Sequence, residues 1–184
     1  MKAKLHTEKG FSLAEVLVAI LILLMVSTIV ATGIPVARNA YEKVVLASNA
    51  EVLLSTTMST LRNELGTAQD VSTDGVSITY YNSSRRTTSE ITREAILEDG
   101  ATDYSKQTIV LCRYSGAFVQ NSTPERIATS SSATGKADIY VTYREVAYND
   151  QTGIITFSGL SVNSTSGTVG LATLDTLSIR VISA

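Results

Sequence analysis

The chain has little cysteine, little histidine and no surplus of charge. Its 184 residues include one cysteine, Cys112, and one histidine, His6. A single cysteine cannot form a disulfide within the chain, so an exported domain would have to be stable without one. The surrounding letters TIVLCRY indicate a buried strand residue rather than a reactive thiol. The net charge of −2 indicates neither a nucleic-acid surface nor a disordered acidic tail.

A long apolar segment lies near the N-terminus. From Phe11 to Ile34 the only formal charge is Glu15. As a helix these 24 residues would extend about 36 Å, compared with about 30 Å for the hydrocarbon core of a bilayer. Lysines at positions 2, 4 and 9 precede the segment, and the positive-inside rule keeps them in the cytoplasm. We therefore expect one membrane span with the remaining chain outside.

Three interpretations of this N-terminus are open on composition alone. It could be a signal peptide cut near the small residues Ala31 and Gly33, a permanent anchor, or a leader cleaved ahead of the apolar segment. Glu15 favours the third interpretation, since a carboxylate in an apolar helix is costly to insert and serves neither a signal peptide nor a plain anchor.

The stretch KGFSLAEVLVAILIL, residues 9–23, resembles the processing and methylation motif of type IV pilins and pseudopilins. The shared features are a short basic leader, a glycine followed by an aromatic residue, an acid four residues later and an unbroken apolar helix. The resemblance covers about the first 35 residues. It implies that a prepilin peptidase cuts between Gly10 and Phe11, that Phe11 becomes the N-methylated first residue, and that Glu15 acts in assembly.

The chemistry of Glu15 supports a role in assembly. After the cut, the Phe11 amine would be a cation at the end of an apolar helix. Glu15 lies about one turn further on, so it could pair with the amine of its own chain or of a neighbour. Pairing offsets part of the desolvation cost of both groups. The alternatives are an intrachain pair, an intersubunit pair, or an incidental carboxylate that reaches the membrane edge.

The fold predicted from these patterns is α+β, with a long N-terminal helix packed on an antiparallel β-sheet head. Gly33 and Pro35 predict a kink or a locally unwound segment in the helix, and Gly66 predicts its end. The second half of the helix has an apolar face whose residues recur at steps of three and four. These residues are Ala47, Ala50, Leu54, Met58, Leu61 and Leu65. The polar residues Glu51, Arg62 and Glu64 lie off this face.

The region after residue 66 is rich in threonine, serine and short alternating runs that predict strands. EVAYNDQTGIITFSG predicts a hairpin. Residues 81–105 suggest a short helix within a long connection, and residues 122–138 suggest a surface loop. The predicted divisions are a leader at 1–10, a helix at 11–66 with its membrane or filament-core segment at 11–34, and a β-rich extracytoplasmic domain at 67–184.

Candidate sites for catalysis and metal binding are few. His6 lies in the predicted leader, so the mature chain would have no imidazole, and we predict no enzyme activity and no cofactor. Adjacent Arg85 and Arg86 are interpreted as surface charge rather than a DNA contact. Acids near Gly100 lack the EF-hand spacing and favour a solvated loop, although calcium is a weak alternative. These acids are Glu94, Glu98, Asp99 and Asp103.

The resemblance implies a structural subunit of a type IV pilus-like filament. Residues 53–71 faintly resemble the helix end of minor subunits at filament tips, which favours a minor pilin or pseudopilin. The implied partners are prepilin peptidase, other pilin subunits, the assembly platform and, before assembly, the cytoplasmic membrane; the head would be extracytoplasmic and the final location an extracellular filament. Alternatives are a major pilin, or an adhesin or DNA-capturing module on the same anchor, the only case in which nucleic acid is expected.

Overall fold

A computed structural model describes residues 12–98, 101–115, 119–120, 125–126, 129–131, 137–167 and 169–182. The chain divides into two compact units, Met1–Val45 and Leu46–Ala184. The helix is α1 (Leu13–Leu65). The strands are β1 (Ala68–Thr73), β2 (Ile78–Asn82), β3 (Thr87–Glu98), β4 (Ala101–Ser115), β5 (Val119–Gln120), β6 (Glu125–Arg126), β7 (Thr129–Ser131), β8 (Ala137–Thr142), β9 (Glu145–Asn149), β10 (Ile154–Ser164) and β11 (Ala172–Arg180).

Helix α1 is continuous through Gly33 and Pro35. Proline has no N–H to donate to the carbonyl of Ala31, one turn earlier, yet helical backbone continues on both sides. The alternative of a locally unwound segment is therefore wrong for this chain, while a kink at these two residues stays a prediction.

The end of α1 is set by Gly66. Its N–H donates to the Arg62 carbonyl at 2.9 Å, and a Cβ at this position would lie 2.8 Å from the same oxygen. Only glycine fits this close approach, so the predicted stop is confirmed. The Gly66 carbonyl in turn accepts a hydrogen bond from the Ile182 N–H at 3.0 Å, which joins the segment after β11 to the end of the helix.

The apolar face predicted for the second half of α1 packs into the core of the Leu46–Ala184 unit. Ala50, Leu61 and Leu65 are fully buried, and Leu54 and Met58 are partly buried. Ala47 is exposed, and Glu64, predicted to lie off this face, is buried. The α+β architecture, with this part of the helix packed on antiparallel sheets, is thus confirmed.

Two antiparallel sheets form the remainder of that unit. The first has the order β1-β2-β3-β4-β5, with β6 also paired to β4, and the second has the order β11-β10-β8-β7, with β9 also paired to β10. The β9–β10 hairpin was predicted and is confirmed by the pairing of Asn149 with Ile154. The core includes an edge-to-face contact between Tyr143, which follows β8, and Phe157 of β10, whose ring centroids lie 5.2 Å apart.

The predicted helix within residues 81–105 is wrong. The described residues of this region form β2, a turn, β3 and the start of β4, with β3 and β4 paired from Thr88 to Glu98. The letters TREAILE favour a helix locally, but Ser89 and Ile91 alternate with less buried neighbours and pair across the sheet. Tertiary pairing therefore overrides the local preference.

The predicted loop at residues 122–138 is also partly wrong. Its described residues include the short strands β6 and β7 and the first residues of β8. Strand β6 pairs with β4 through Arg126 and Val110, and β7 pairs with β8 through Thr129 and Tyr140. Serine and threonine occur in loops as well as in short edge strands, so composition alone does not distinguish the two.

Candidate functional site

The predicted processing site stands just ahead of the described chain. Gly10 and Phe11 lie outside the described residues, so cleavage and methylation at their junction stay predictions. The described chain starts at Ser12, and α1 begins at Leu13. A protein cut between residues 10 and 11 would therefore start two residues before its helix.

Ser12 and Glu15 close the start of α1 with reciprocal hydrogen bonds. The Ser12 backbone N–H donates to Glu15 Oε2 at 2.9 Å, and the Glu15 backbone N–H donates to Ser12 Oγ at 3.2 Å. This arrangement is a capping box, which satisfies two backbone donors that a helix start otherwise leaves open. The sequence-based predictions gave Ser12 no role, although the S-x-x-E pattern of residues 12–15 signals one.

Glu15 keeps one carboxylate oxygen for another partner. Within the described residues, its Oε1 atom makes no hydrogen bond or ion pair. The cap uses the peptide N–H of Ser12, which cleavage between Gly10 and Phe11 would leave intact. Because a carboxylate offers about four lone-pair sites, Glu15 can cap its own helix and still accept a hydrogen bond from a charged amine.

The helix after Glu15 presents apolar side chains on all sides. Large residues from Leu13 to Ile34 are exposed around its whole circumference. The hydroxyls in this stretch bond to carbonyls of the preceding turn: Ser27 to Leu23 at 2.8 Å, Thr28 to Met25 at 2.7 Å and Thr32 to Thr28 at 3.0 Å. Among the described residues, α1 is the one helix long and apolar enough to cross a membrane. Its surface thus suits hydrocarbon or the dry interior of an assembly, because no hydroxyl there needs water.

A polar cluster that the sequence analysis missed lies at the other end of α1. We name it the Glu64 cluster, and it consists of Glu64, Asn82, Arg85 and Arg113. Asn82 Nδ2 donates to Glu64 Oε2 at 2.9 Å, while Arg85 Nη2 and Arg113 Nη2 lie 3.3 Å and 3.5 Å from Oε1. The partners come from β2, from the turn after it and from β4, so helix periodicity could not reveal them.

The Glu64 cluster gives Arg85 a structural role. This arginine was interpreted as surface charge together with Arg86, but its guanidinium lies against the Glu64 carboxylate. The cluster also adjoins the phenol of Tyr80, whose pKa burial raises well above its ordinary value, with a smaller contribution from the Glu64 charge. The phenol therefore stays neutral, and the region holds one buried carboxylate matched by arginines.

Cys112 is a buried residue of β4, as predicted. Burial raises the pKa of its thiol above the ordinary value, and the charges of Glu90 and Glu94 act in the same direction. The thiolate is the reactive form of cysteine, so both effects lower the reactivity of Cys112.

The side chains of the weak calcium candidates Glu98, Asp99 and Asp103 lie outside the described part of the structure. Asp99 lies outside the described residues, and the backbones of Glu98 and Asp103 belong to the paired strands β3 and β4. Within the described part of the chain there is no group of three or more histidine, cysteine, aspartate or glutamate residues that could hold a metal ion.

Comparison with known families gives one match. Residues 5–31 match the family described as the prokaryotic N-terminal methylation motif. The match includes the junction of Gly10 and Phe11, the capping pair Ser12 and Glu15, and most of the apolar segment. Searches of curated proteins and of solved structures each found no significant match.

Proposed function

We propose that the chain is a type IV pilin-like protein, on the support of its methylation motif and α+β architecture, and that it acts as a minor pilin or pseudopilin of a type IV pilus-like filament. The observation that carries the proposal is the capped apolar helix that begins at Leu13, two residues into the proposed mature chain. A helix with apolar residues on every face has to be covered, first by lipid and then by the helices of other subunits.

The proposed route starts in the cytoplasmic membrane. Prepilin peptidase removes residues 1–10 and Phe11 is methylated on its new amine. Residues 11–34 hold the subunit in the membrane, the helix continues to residue 66, and residues 67–184 form an extracytoplasmic domain. The assembly platform then transfers the subunit into a filament, and the subunit itself catalyses no reaction.

In this proposal Glu15 has two tasks. Its Oε2 atom caps its own helix through Ser12. Its Oε1 atom accepts a hydrogen bond from the cationic amine of a Phe11 residue. The amine belongs either to the same subunit or to the next one along the filament. In both cases the pair is formed in a dry environment, where leaving the amine or the carboxylate alone is strongly unfavourable.

Variants at Ser12 and Glu15 separate the cap from the charge. Glu15→Gln keeps an acceptor for the Ser12 N–H but has no negative charge, whereas Ser12→Ala removes only the hydroxyl half of the cap. We expect Glu15→Gln and Glu15→Ala to be cleaved and membrane-inserted yet strongly depleted from sheared filaments. Ser12→Ala costs only about 1 kcal/mol of helix stability and should still be incorporated.

The readout is the ratio of subunit in filaments to subunit in membranes, measured by quantitative immunoblotting. Normal incorporation of Glu15→Gln would mean that Glu15 serves as a cap alone. Loss of cleavage in either Glu15 variant would instead place the residue in peptidase recognition.

The minor-subunit assignment rests on the resemblance of residues 53–71 to tip subunits. Leu61 and Leu65 of this stretch lie in the core, and Glu64 is held by the Glu64 cluster. Counting subunits in sheared filaments by mass spectrometry tests the assignment. A minor subunit should be a small fraction of the total, whereas a chain that makes up most of the fibre would be the major pilin.

A further inference from the structure

A polar cleft opens on the Leu46–Ala184 unit, where β3 and β4 of the first sheet approach β8 and β10 of the second. We name it the arginine cleft; its volume is about 370 Å³, and its lining includes Arg93, Gln107, Thr142, Arg144 and Ser161. The size is within the range of small-molecule sites. Among the described residues, its lining carries two positive charges and no carboxylate.

One wall of the cleft lies where the partner of β10 changes from β9 to β8. Strand β10 pairs with β9 up to Ser158 and with β8 from Ser161 onward. Between these pairings Gly159 has a φ of 65°, and the Arg144 N–H donates to the Ser158 carbonyl at 2.9 Å. A Cβ on Gly159 would lie 3.2 Å from the Arg144 Cβ. The positive φ and this close approach favour glycine opposite Arg144, and both residues line the cleft.

Arg93, from β3 of the first sheet, is held in place by Tyr143. Its Nη1 atom donates to the Tyr143 carbonyl at 3.1 Å, and its guanidinium carbon lies 5.3 Å from the centre of the Tyr143 ring. Tyr143 is itself fixed, because its hydroxyl donates to the Val76 carbonyl and its ring contacts Phe157. Such packing holds the guanidinium in one orientation before any ligand arrives.

The two arginines of the cleft form no ion pair within the described part of the chain. Neither Arg93 nor Arg144 forms an ion pair with a described residue, and the buried Nε atom of Arg93 has no hydrogen-bond partner. Elsewhere in the same unit, Arg85 and Arg113 both face the carboxylate of Glu64. The contrast marks the cleft as a place where positive charge is left for a ligand.

We propose that the arginine cleft binds a small hydroxylated carboxylate of the sugar-acid class. Arginine side chains bind carboxylates through paired, charge-assisted hydrogen bonds. The hydroxyls of Thr142 and Ser161 and the amide of Gln107 can both donate and accept, which matches the hydroxyl groups of a sugar ring. Nucleic acid fits less well, since phosphate backbones are bound by extended basic surfaces rather than by a compact cleft on a chain of net charge −2.

The test is calorimetric titration of the full-length protein in detergent with glucuronate, glucose, inorganic phosphate and a short DNA duplex. Glucuronate should bind and glucose should bind at least several-fold more weakly. Arg144→Gln should weaken glucuronate binding roughly tenfold or more, as expected for losing hydrogen bonds to a charged group. Arg180→Gln, an exposed arginine on β11, is the matched control and should leave binding unchanged.

Arg144 is exposed, so its replacement should not unfold the protein, and equal thermal unfolding temperatures for the two variants check this. The proposal is overturned if glucuronate does not bind, if glucose binds equally well, or if Arg144→Gln binds like the control. It is also overturned if phosphate alone or the duplex binds in an Arg144-dependent way while glucuronate does not. None of these results depends on filament assembly.

Discussion

Replacement of Glu64 by alanine should destabilise the Leu46–Ala184 unit substantially. The Glu64 side chain is 9% exposed and is shared by Asn82, Arg85 and Arg113. Removing one partner of a buried ion pair costs about 3–5 kcal/mol. Two features reduce that figure: the Arg85 side chain is 55% exposed and regains water, and Arg113 has further interactions. We therefore expect a loss of about 2–4 kcal/mol, to which the buried Asn82 amide contributes most.

Urea unfolding of the full-length protein in detergent, followed by tyrosine near-ultraviolet circular dichroism, measures this loss. For a slope of about 2 kcal/mol per molar urea, the midpoint should fall by about 1–2 M. Glu51→Ala, an exposed acid on the same helix, is the control and should change stability by less than about 0.5 kcal/mol. If Glu64→Ala unfolds at the same urea concentration as Glu51→Ala, the Glu64 cluster does not stabilise the fold.

Two further predictions concern Gly66 and Cys112. Gly66→Ala should destabilise the Leu46–Ala184 unit by about 1–2 kcal/mol in the same urea assay, because the added Cβ would lie 2.8 Å from the Arg62 carbonyl oxygen. Gly33→Ala, which has nothing within 4 Å of its added Cβ, should leave that unit unchanged; equal effects of the two would refute the steric explanation. The Cys112 thiol, whose pKa is raised by burial, should react with a maleimide far more slowly at pH 8 in the folded than in the urea-unfolded protein, and its rate should rise with pH. Equal rates would show that the thiol is accessible.

The features predicted correctly from the sequence are those written in local patterns. Periodicity identified most of the apolar face of α1. The glycine at position 66 marked the end of the helix, and turn residues marked the β9–β10 hairpin. Each of these depends on residues within a few positions of one another, so no knowledge of distant pairing was needed.

The features that were predicted wrongly or missed depend on contacts between residues far apart in the sequence. Residues 81–105 were predicted to hold a helix because the letters TREAILE favour one, but β3 is stabilised by eleven paired positions with β4. Burial of Glu64 depends on Arg113, which lies on a distant strand. The arginine cleft likewise requires Arg93 from β3 and Arg144 from the short segment between β8 and β9. Such contacts are set by tertiary pairing, which local propensity does not contain.

The candidate site at the N-terminus includes residues that the sequence identified and one contact that it did not. The motif around Gly10 and Phe11 and the acid Glu15 were identified from the sequence, and the family match covers them. The bond between Ser12 and Glu15 adds a task for the acid that charge considerations alone had missed. A residue that looked out of place in a membrane helix thus also stabilises the start of that helix.

N-terminal mass spectrometry of the protein purified from membranes and filaments tests the central claim most directly. The account predicts a mature chain that starts at Phe11 and carries one added methyl group on its amine. A chain that starts after Ala31 or Gly33 would contradict it, because signal peptidase would then have removed Glu15 and most of the apolar segment.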